Sequence, residues 1–536
     1  MQRDLLERLE EWKGRFGGAE DGRLEKLLAA AARRKFGSAG ELIRLHETLL
    51  FLRAYPRSRE VARLADAALA GFAGRVAALG PAALDAFEAP EISGIAGTSL
   101  TAVFSYEFAR RLEARHPRHV EIGWDRYDEI DRLGPVLARV LALFGEDWPV
   151  EAHAPFREWI AAARGRGRSD LAWLLERLAA LPMAARDRAA LYETLGLPLT
   201  WRFGARVSRS NLRLAGRGLY CHREPLLRRG DVSLARELDG QRLPVRRLAR
   251  AEARKILDLI LDVSAMRFRE LYGFSHPDEG GVFHADAGRG VDIYFFGVPP
   301  EWRLPLRAYH GGMFFKNGVP AGYVELLSLF ERAEVGFNLY YTFREGESAW
   351  IYARMLRLFQ QELGVSVFSV DPYQIGLENP EAVQSGAFWF YRKMGFRPVD
   401  KEAAALVERE ERRMRAMPGY RSSKRTLERL ARSYILHEGP GAEAGVWDNF
   451  KVRNLGLAAE RAGVSNGSGL ARVVRLIPDW ARWSAEERRG VEKILQAKER
   501  GSEARYLRLM QGHGRLRAAM VRLGSLGAGG VTRSHL

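Results

Sequence analysis

Two short stretches and a few isolated side chains hold the groups that could do chemistry. At Phe343-Arg344-Glu345-Gly346-Glu347-Ser348 a glycine-containing turn leads into a helix pattern. A helix start leaves about four backbone N–H groups unsatisfied and carries partial positive charge. A glycine just before it lets a phosphate approach the backbone, although an ordinary turn uses glycine in the same way. At Tyr391-Arg392-Lys393-Met394-Gly395-Phe396 a tyrosine lies on a helix that ends at a glycine suited to a C-terminal cap; taken alone it reads as a core aromatic. Glu325 and Glu334 stand inside apolar strand patterns, where burial raises a carboxylate's pKa; each reads equally as a strand-edge carboxylate or half of an ion pair. His284 and His310 are further candidate bases or else structural histidines, and no His-Glu-x-x-His spacing suggests a metal. Cys221 is the sole cysteine, which excludes an intrachain disulfide and a cysteine-based zinc site. His222 follows it, but neighbours along a strand point to opposite faces, so Cys221 reads as structural.

The elements that must position these groups follow from periodicity. Leu243–Leu248 is a short strand pattern, and Glu252–Tyr272 a long helix pattern with Ile256, Leu259, Ile260, Val263, Phe268 and Leu271 on its apolar side. Val291–Val298 reads as a buried strand. Met313–Lys316 and Val319–Leu329 flank Asn317-Gly318, the pair a type I′ hairpin turn prefers because both central residues need positive φ. A strand over Glu334–Phe343, a helix over Ala349–Glu362, a strand over Val365–Val370 and a helix containing Ala387–Lys393 complete the series.

That order, with a helix ending Tyr-x-Lys-x-Gly-Phe, resembles the GNAT N-acyltransferase superfamily over about residues 243–399. The family's pyrophosphate loop commonly reads Gln/Arg-x-x-Gly-x-Gly/Ala, and Phe343–Ser348 keeps the central glycine with Ser348 last and Arg344 one place late. Its later signature, Asn-x-x-Ala-x-x-x-Tyr-x-Lys-x-Gly-Phe, is matched by Gln384–Phe396 with Gln384 in the Asn position, while an Asn stands at Asn379. The resemblance implies acyl-CoA as co-substrate, acetyl-CoA first among the candidates, in a groove between splayed strands at 334–343 and 365–370. Tyr341, Thr342 and Phe343 would pair with the pantetheine through their backbone. Arg344, Gly346, Ser348 and Ala349 would hold the pyrophosphate, with Gln384 nearby. Tyr391 would protonate the departing thiolate, and an amine would attack with no covalent enzyme intermediate. Glu334, on the strand where the family often carries its base, or Glu325 on the preceding strand, would take the amine's proton.

The chain has 536 residues, enough for several domains; 47% are hydrophobic and 28% charged, which is ordinary for a folded protein. The expected class is α+β: a central GNAT-like mixed sheet with flanking helices, preceded and followed by mostly helical regions. The expected divisions are a helical N-terminal region (1–90), a helical domain (91–198), a linker or accessory strands (199–242), the acyltransferase-like domain (243–400) and a basic helical region (401–536). No apolar run is long enough for a membrane span, and the charged N-terminus does not read as a signal peptide, so the expectation is a cytoplasmic protein without a membrane span or metal. Net charge is +17, and residues 401–536 hold 27 Lys+Arg against 15 Asp+Glu, a net of +12. The abundance of Arg over Lys, 73 against 11, fits a coding bias as well as a polyanionic partner. The leading expectation is therefore transfer of an acyl group to an amine on a small molecule, peptide or protein. The alternatives are a non-catalytic acyl-CoA-binding or regulatory protein, and an RNA-directed acyltransferase or nucleic-acid adaptor that uses the basic region.

Overall fold

The computed structural model describes residues 4–16, 21–142, 144, 146, 155–216, 218–267, 270–464, 469–477 and 479–526. The chain divides into two compact units. One comprises residues 1–225, 254–276 and 317–320, and the other residues 226–253, 277–316 and 321–536.

The first unit is mostly helical. The helix Ala39–Ala54 is buried over most of its length, so its polar side chains need partners inside the fold. Glu47 accepts two bonds from the Arg209 guanidinium at 2.9 Å, and His46 meets Ser210 Oγ at 2.9 Å. Helices alone were expected between Ser99 and Ala180, but two strands occur there, β1 (Ser99–Val103) and β2 (Val120–Ile122). Both pair antiparallel with β3 (Pro198–Arg202), which lies between them. Their content explains the difference: Thr101, Val103, Val120 and Ile122 are β-branched, and burial along β2 alternates around exposed Glu121. Asn317 and Gly318 have φ of 47° and 78°, as a type I′ turn requires. The Asn317 side chain accepts from Tyr220 N at 2.8 Å and donates to Ala54 O at 2.8 Å.

The second unit is built on a nine-stranded sheet. Its strands are β4 (Val245–Arg247), β5 (Val282–Gly288), β6 (Val291–Phe296), β7 (Ala308–Lys316), β8 (Val319–Leu329), β9 (Arg332–Leu339), β10 (Val367–Val370), β11 (Arg397–Pro398) and β12 (Ile435–Glu438). The spatial order is β11-β12-β10-β9-β8-β7-β6-β5-β4. β10 runs parallel to β9, whereas β8–β9, β10–β12 and β11–β12 are antiparallel, so the sheet is mixed. Helices flank it, and the class is α+β as expected.

Four local details differ from the sequence reading. The long helix covers Arg250–Met266, and Tyr272 instead opens a short separate helix; Phe268 lies outside the described residues. β9 ends at Leu339, and Tyr341–Phe343 form a 3₁₀ turn. The helix that follows begins one residue early, at Ser348, and ends at Leu363 before left-handed Gly364. Within the region after residue 400, expected to be mostly helical, β12 inserts between β10 and β11. Arg397 on β11 ties that edge together, donating to Glu438 on β12 and to Asp448, both at 2.7 Å. Among the described residues no helix is long and apolar enough to cross a membrane.

Candidate functional site

The parallel pairing of β9 with β10 is short. Val367 faces Arg332, Phe368 faces Ala333 and Ser369 faces Glu334. After Val370 the chain turns away: Asp371 caps a helical turn by accepting from Tyr373 N at 2.8 Å. β9 continues to Leu339 paired only with β8. The edge of β9 beyond Glu334 thus has no strand beside it among the described residues, and the two strands part there.

A cavity of about 270 Å³ opens along that edge. Phe337, Asn338 and Leu339 of β9 form one wall, Arg344 and Ser348 line the start of the helix Ser348–Leu363, and Gln374, Asn379 and Tyr391 close the rest. The parted strands, the helix start and the tyrosine singled out in the sequence therefore meet around one space.

The helix start is held from below. Glu347 is fully buried and makes no capping bond to its own helix. Its carboxylate instead accepts from Lys316 Nζ at 3.3 Å, from Arg289 Nε at 3.0 Å and from Leu227 N at 3.2 Å. Burial pulls the Lys316 amine down to about 8, although neighbouring Glu347 favours its charge. Within the loop, the N–H groups of Phe343, Arg344 and Gly346 are used by the turn itself, donating to Tyr340 O, Tyr341 O and Phe343 O. The first intrahelical bond joins Ile351 N to Glu347 O at 2.9 Å, so the N–H groups of Ser348, Ala349 and Trp350 precede it. The donors suited to an anion thus begin at Ser348. Thr342, Phe343 and Ala349 have buried side chains, Tyr341 is half-buried, and the exposed Arg344 guanidinium is paired with Glu381.

Tyr391 is fixed by the turn that follows it. Gly395 takes a φ of +99°, which lets Phe396 N reach back to Tyr391 O at 3.2 Å. Phe396 then packs on the Tyr391 ring with centroids 5.6 Å apart, and Tyr352 packs on it at 5.6 Å. Tyr391 is 3% exposed, and its hydroxyl bonds to no protein group among the described residues. Burial raises its pKa well above the usual phenol value, so it carries its proton at neutral pH.

The two glutamates share a sheet face but have different neighbours. Glu334 faces Leu327 across the ladder and Glu325 faces Gly336, which puts both carboxylates on the same side. Burial raises the pKa of each. Glu334 is opposed by Arg307, 3.5 Å away, and lines a separate cavity of about 340 Å³. Glu325 accepts from the Tyr309 hydroxyl at 2.6 Å. A side chain at Gly336 would lie 3.9 Å from Gln374 Nε2 and 3.9 Å from Glu325 Cβ, but Glu325 itself does not line the cavity beside Tyr391.

The remaining residues lie elsewhere. Gln384 is exposed and faces a different cavity with Trp389 and Lys393. Asn379 instead reaches the site wall, where its side chain accepts from Ala382 N at 3.1 Å and caps the helix Pro380–Ser385. His310 is buried, its pKa pulled down to about 4, and its Nδ1 has no hydrogen-bond partner among the described residues. His284 is buried against Asp292, Nε2 to Oδ1 at 2.7 Å. Burial pushes the Cys221 thiol up, the reverse of activation, and His222 packs among Phe16, Tyr55 and Tyr220. Among the described residues no group of His, Cys, Asp and Glu could hold a metal ion. Sequence reasoning missed the Glu347–Lys316–Arg289 cluster, whose only sign is a lysine closing the apolar run Met313-Phe314-Phe315. Compared with protein-family models, curated proteins and solved structures, the chain matches none.

Proposed function

We propose that the second unit transfers an acyl group from acyl-CoA to an amine. The observation that carries this reading is the convergence of three features on one cavity: the parted edge of β9, the uncapped helix start at Ser348 and the side of Tyr391. The open backbone edge of β9 from Val335 to Leu339 suits an extended amide-containing arm such as pantetheine. Helix-start N–H groups at Ser348–Trp350 suit its pyrophosphate. Glu325, whose pKa burial raises, takes the proton of the attacking amine directly or through one water; Glu334 is the alternative. As the new C–N bond forms and the C–S bond breaks, Tyr391 gives its proton to the departing sulfur and regains one from solvent.

A thermal-shift titration with acetyl-CoA and longer acyl-CoAs, followed by a free-thiol assay over a panel of amines, tests this. Stabilisation by acyl-CoA with amine-dependent release of CoA is expected, and absence of any acyl-CoA binding would overturn it. A second reading, acyl-CoA binding without turnover, is favoured by Phe343 being fully buried and by the Arg344–Glu381 pair, which leave the phosphate grip to backbone groups. Binding without CoA release from any amine in the panel would select it.

A further inference from the structure

A broad concavity in the second unit lies away from Tyr391. It encloses about 870 Å³ among β12, the start of the helix Lys401–Ala416 and the start of the helix Val452–Arg461. Six cations line it: Arg332, Lys401, Arg429, Arg432, Lys451 and Arg453. Among the described residues none of the six has a carboxylate within 4.0 Å. That pattern is unlike the surrounding arginines, for Arg397 is bonded to Glu438 and Asp448, and Arg517 to Glu331. The acids in the wall offer little compensation. Asp448 is held by Arg397, and Asp400 is committed to capping its helix through Ala403 N at 2.9 Å. Glu402 is exposed.

Two further observations point to an anion. Arg332 is half-buried, with its guanidinium 5.9 Å from the Trp447 ring and 5.6 Å from the Phe450 ring; its hydrogen bonds go to the neutral acceptors Ser369 Oγ and Phe450 O, and Glu334 on the same strand favours its charge without bonding to it. Its partial desolvation lowers its pKa and Glu334 offsets this only in part, so an anion in the concavity would stabilise its charge. The helix Val452–Arg461 starts at the same space, which Lys451, Arg453 and Asn454 line, and Lys451 gives it no side-chain cap. The concavity shares Arg332, Tyr434, Phe450, Lys451 and Arg453 with the smaller cavity that Glu334 lines.

We propose that this concavity binds a ligand carrying several phosphate groups and leads it toward Glu334. The proposal rests on its own observations and stands whether or not acyl transfer does. The phosphates come either from a nucleic-acid strand or from a small polyphosphate, and the experiment separates these sources. The probes are a fluorescein-labelled single-stranded RNA 12-mer of uridines, followed by anisotropy, and inorganic tripolyphosphate as competitor. The cavity variant R429E/R432E/K451E/R453E changes only exposed side chains. The control variant R488E/R489E/K493E/R500E makes the same change in net charge on the helix Ala485–Arg500, also at exposed positions. Each is checked for folding by circular dichroism and melting.

Affinity for the RNA should fall about tenfold or more in the cavity variant and about threefold or less in the control. The salt slope should shrink by about 0.7 for each phosphate that no longer meets a cation. Displacement by tripolyphosphate with the same sensitivity assigns a small polyphosphate ligand, and resistance to it assigns a strand; both support the site. Equal losses in the two variants would reduce the binding to overall charge and overturn the proposal, as would failure of wild-type protein to bind either probe at low salt. Acetyl-CoA stabilisation, measured on the same cavity variant, should persist because its cavity lies beside Tyr391, so the two readings fail separately.

Discussion

Replacing Tyr391 by Phe isolates a single oxygen atom. The ring is packed by Tyr352, Phe390 and Phe396, so removing it altogether would open a void costing about 3–5 kcal/mol and would confuse folding with chemistry. The Phe variant keeps the ring and its packing. Because the hydroxyl has no protein partner among the described residues, its loss should change stability by no more than about 1 kcal/mol. Loss of a general acid typically slows reaction about 10²- to 10⁴-fold, which is about 3–5 kcal/mol of barrier. The assay is CoA release, followed with a thiol reagent at saturating acyl-CoA and the best amine found. kcat should fall within that range while the acyl-CoA dissociation constant stays within about threefold of wild type, since a proton delivered late adds little to ground-state binding. A thioester of a more acidic thiol should suffer less from the change, because its leaving group needs less protonation. An unchanged kcat, or a defect independent of leaving group, would refute the role given to Tyr391.

Glu325→Gln should abolish the acidic limb of the kcat/KM–pH profile, which in wild type rises through a pKa above the usual carboxylate value because burial raises Glu325; if Glu334→Gln removes that limb instead, the base is Glu334. Lys316→Met should destabilise the fold by about 3–5 kcal/mol in urea unfolding, because Glu347 then keeps only part of its compensation, and the double change with Glu347→Gln should cost less than the sum. Lys316 sits at about 8 in the fold against an ordinary 10.5, so between those values the unfolded chain binds more protons and stability rises with pH. The wild-type advantage over K316M should therefore grow by up to about 1.4 kcal/mol per pH unit in that window. Gly395→Ala should cost about 1–2 kcal/mol in stability, since φ is +99° and the new Cβ would lie 3.3 Å from His437 Nδ1, and it should lower kcat by shifting Tyr391.

The parts of the fold that were legible are those in which one local requirement decides the structure. Asn317-Gly318 has a single good solution, both residues at positive φ, and the hairpin follows. Gly395 does the same for the end of the tyrosine helix. β1, β2 and β12 were not legible because they are short and gain their stability from partners distant in sequence: Ile435 pairs with Val370 and with Pro398, and Val120 with Trp201. A strand of four residues holds too few periods to announce itself, and its surroundings in the charged run after residue 400 favour helix locally. The early end of β9 has a similar origin. Tyr340, Tyr341 and Phe343 are good strand formers, but β10 has already turned away at Asp371, and without a second neighbour the chain closes into a 3₁₀ turn.

Charge shows the same division between what composition and structure can say. A net of +17 spread evenly over a surface gives weak, diffuse attraction to any polyanion, and a coding bias toward arginine produces it without function. Pairing is what composition cannot record. In this fold Arg289, Arg397 and Arg517 are all paired with carboxylates, whereas among the described residues none of the six cations lining the concavity has a carboxylate within 4.0 Å, and they gather on a concave surface with two helix starts. A field from unpaired charges focused in a cavity is stronger and more local than the same charges dispersed. The control variant on the helix Ala485–Arg500 is therefore the decisive comparison: it removes equal charge from exposed positions outside the concavity, and only a built site will distinguish the two.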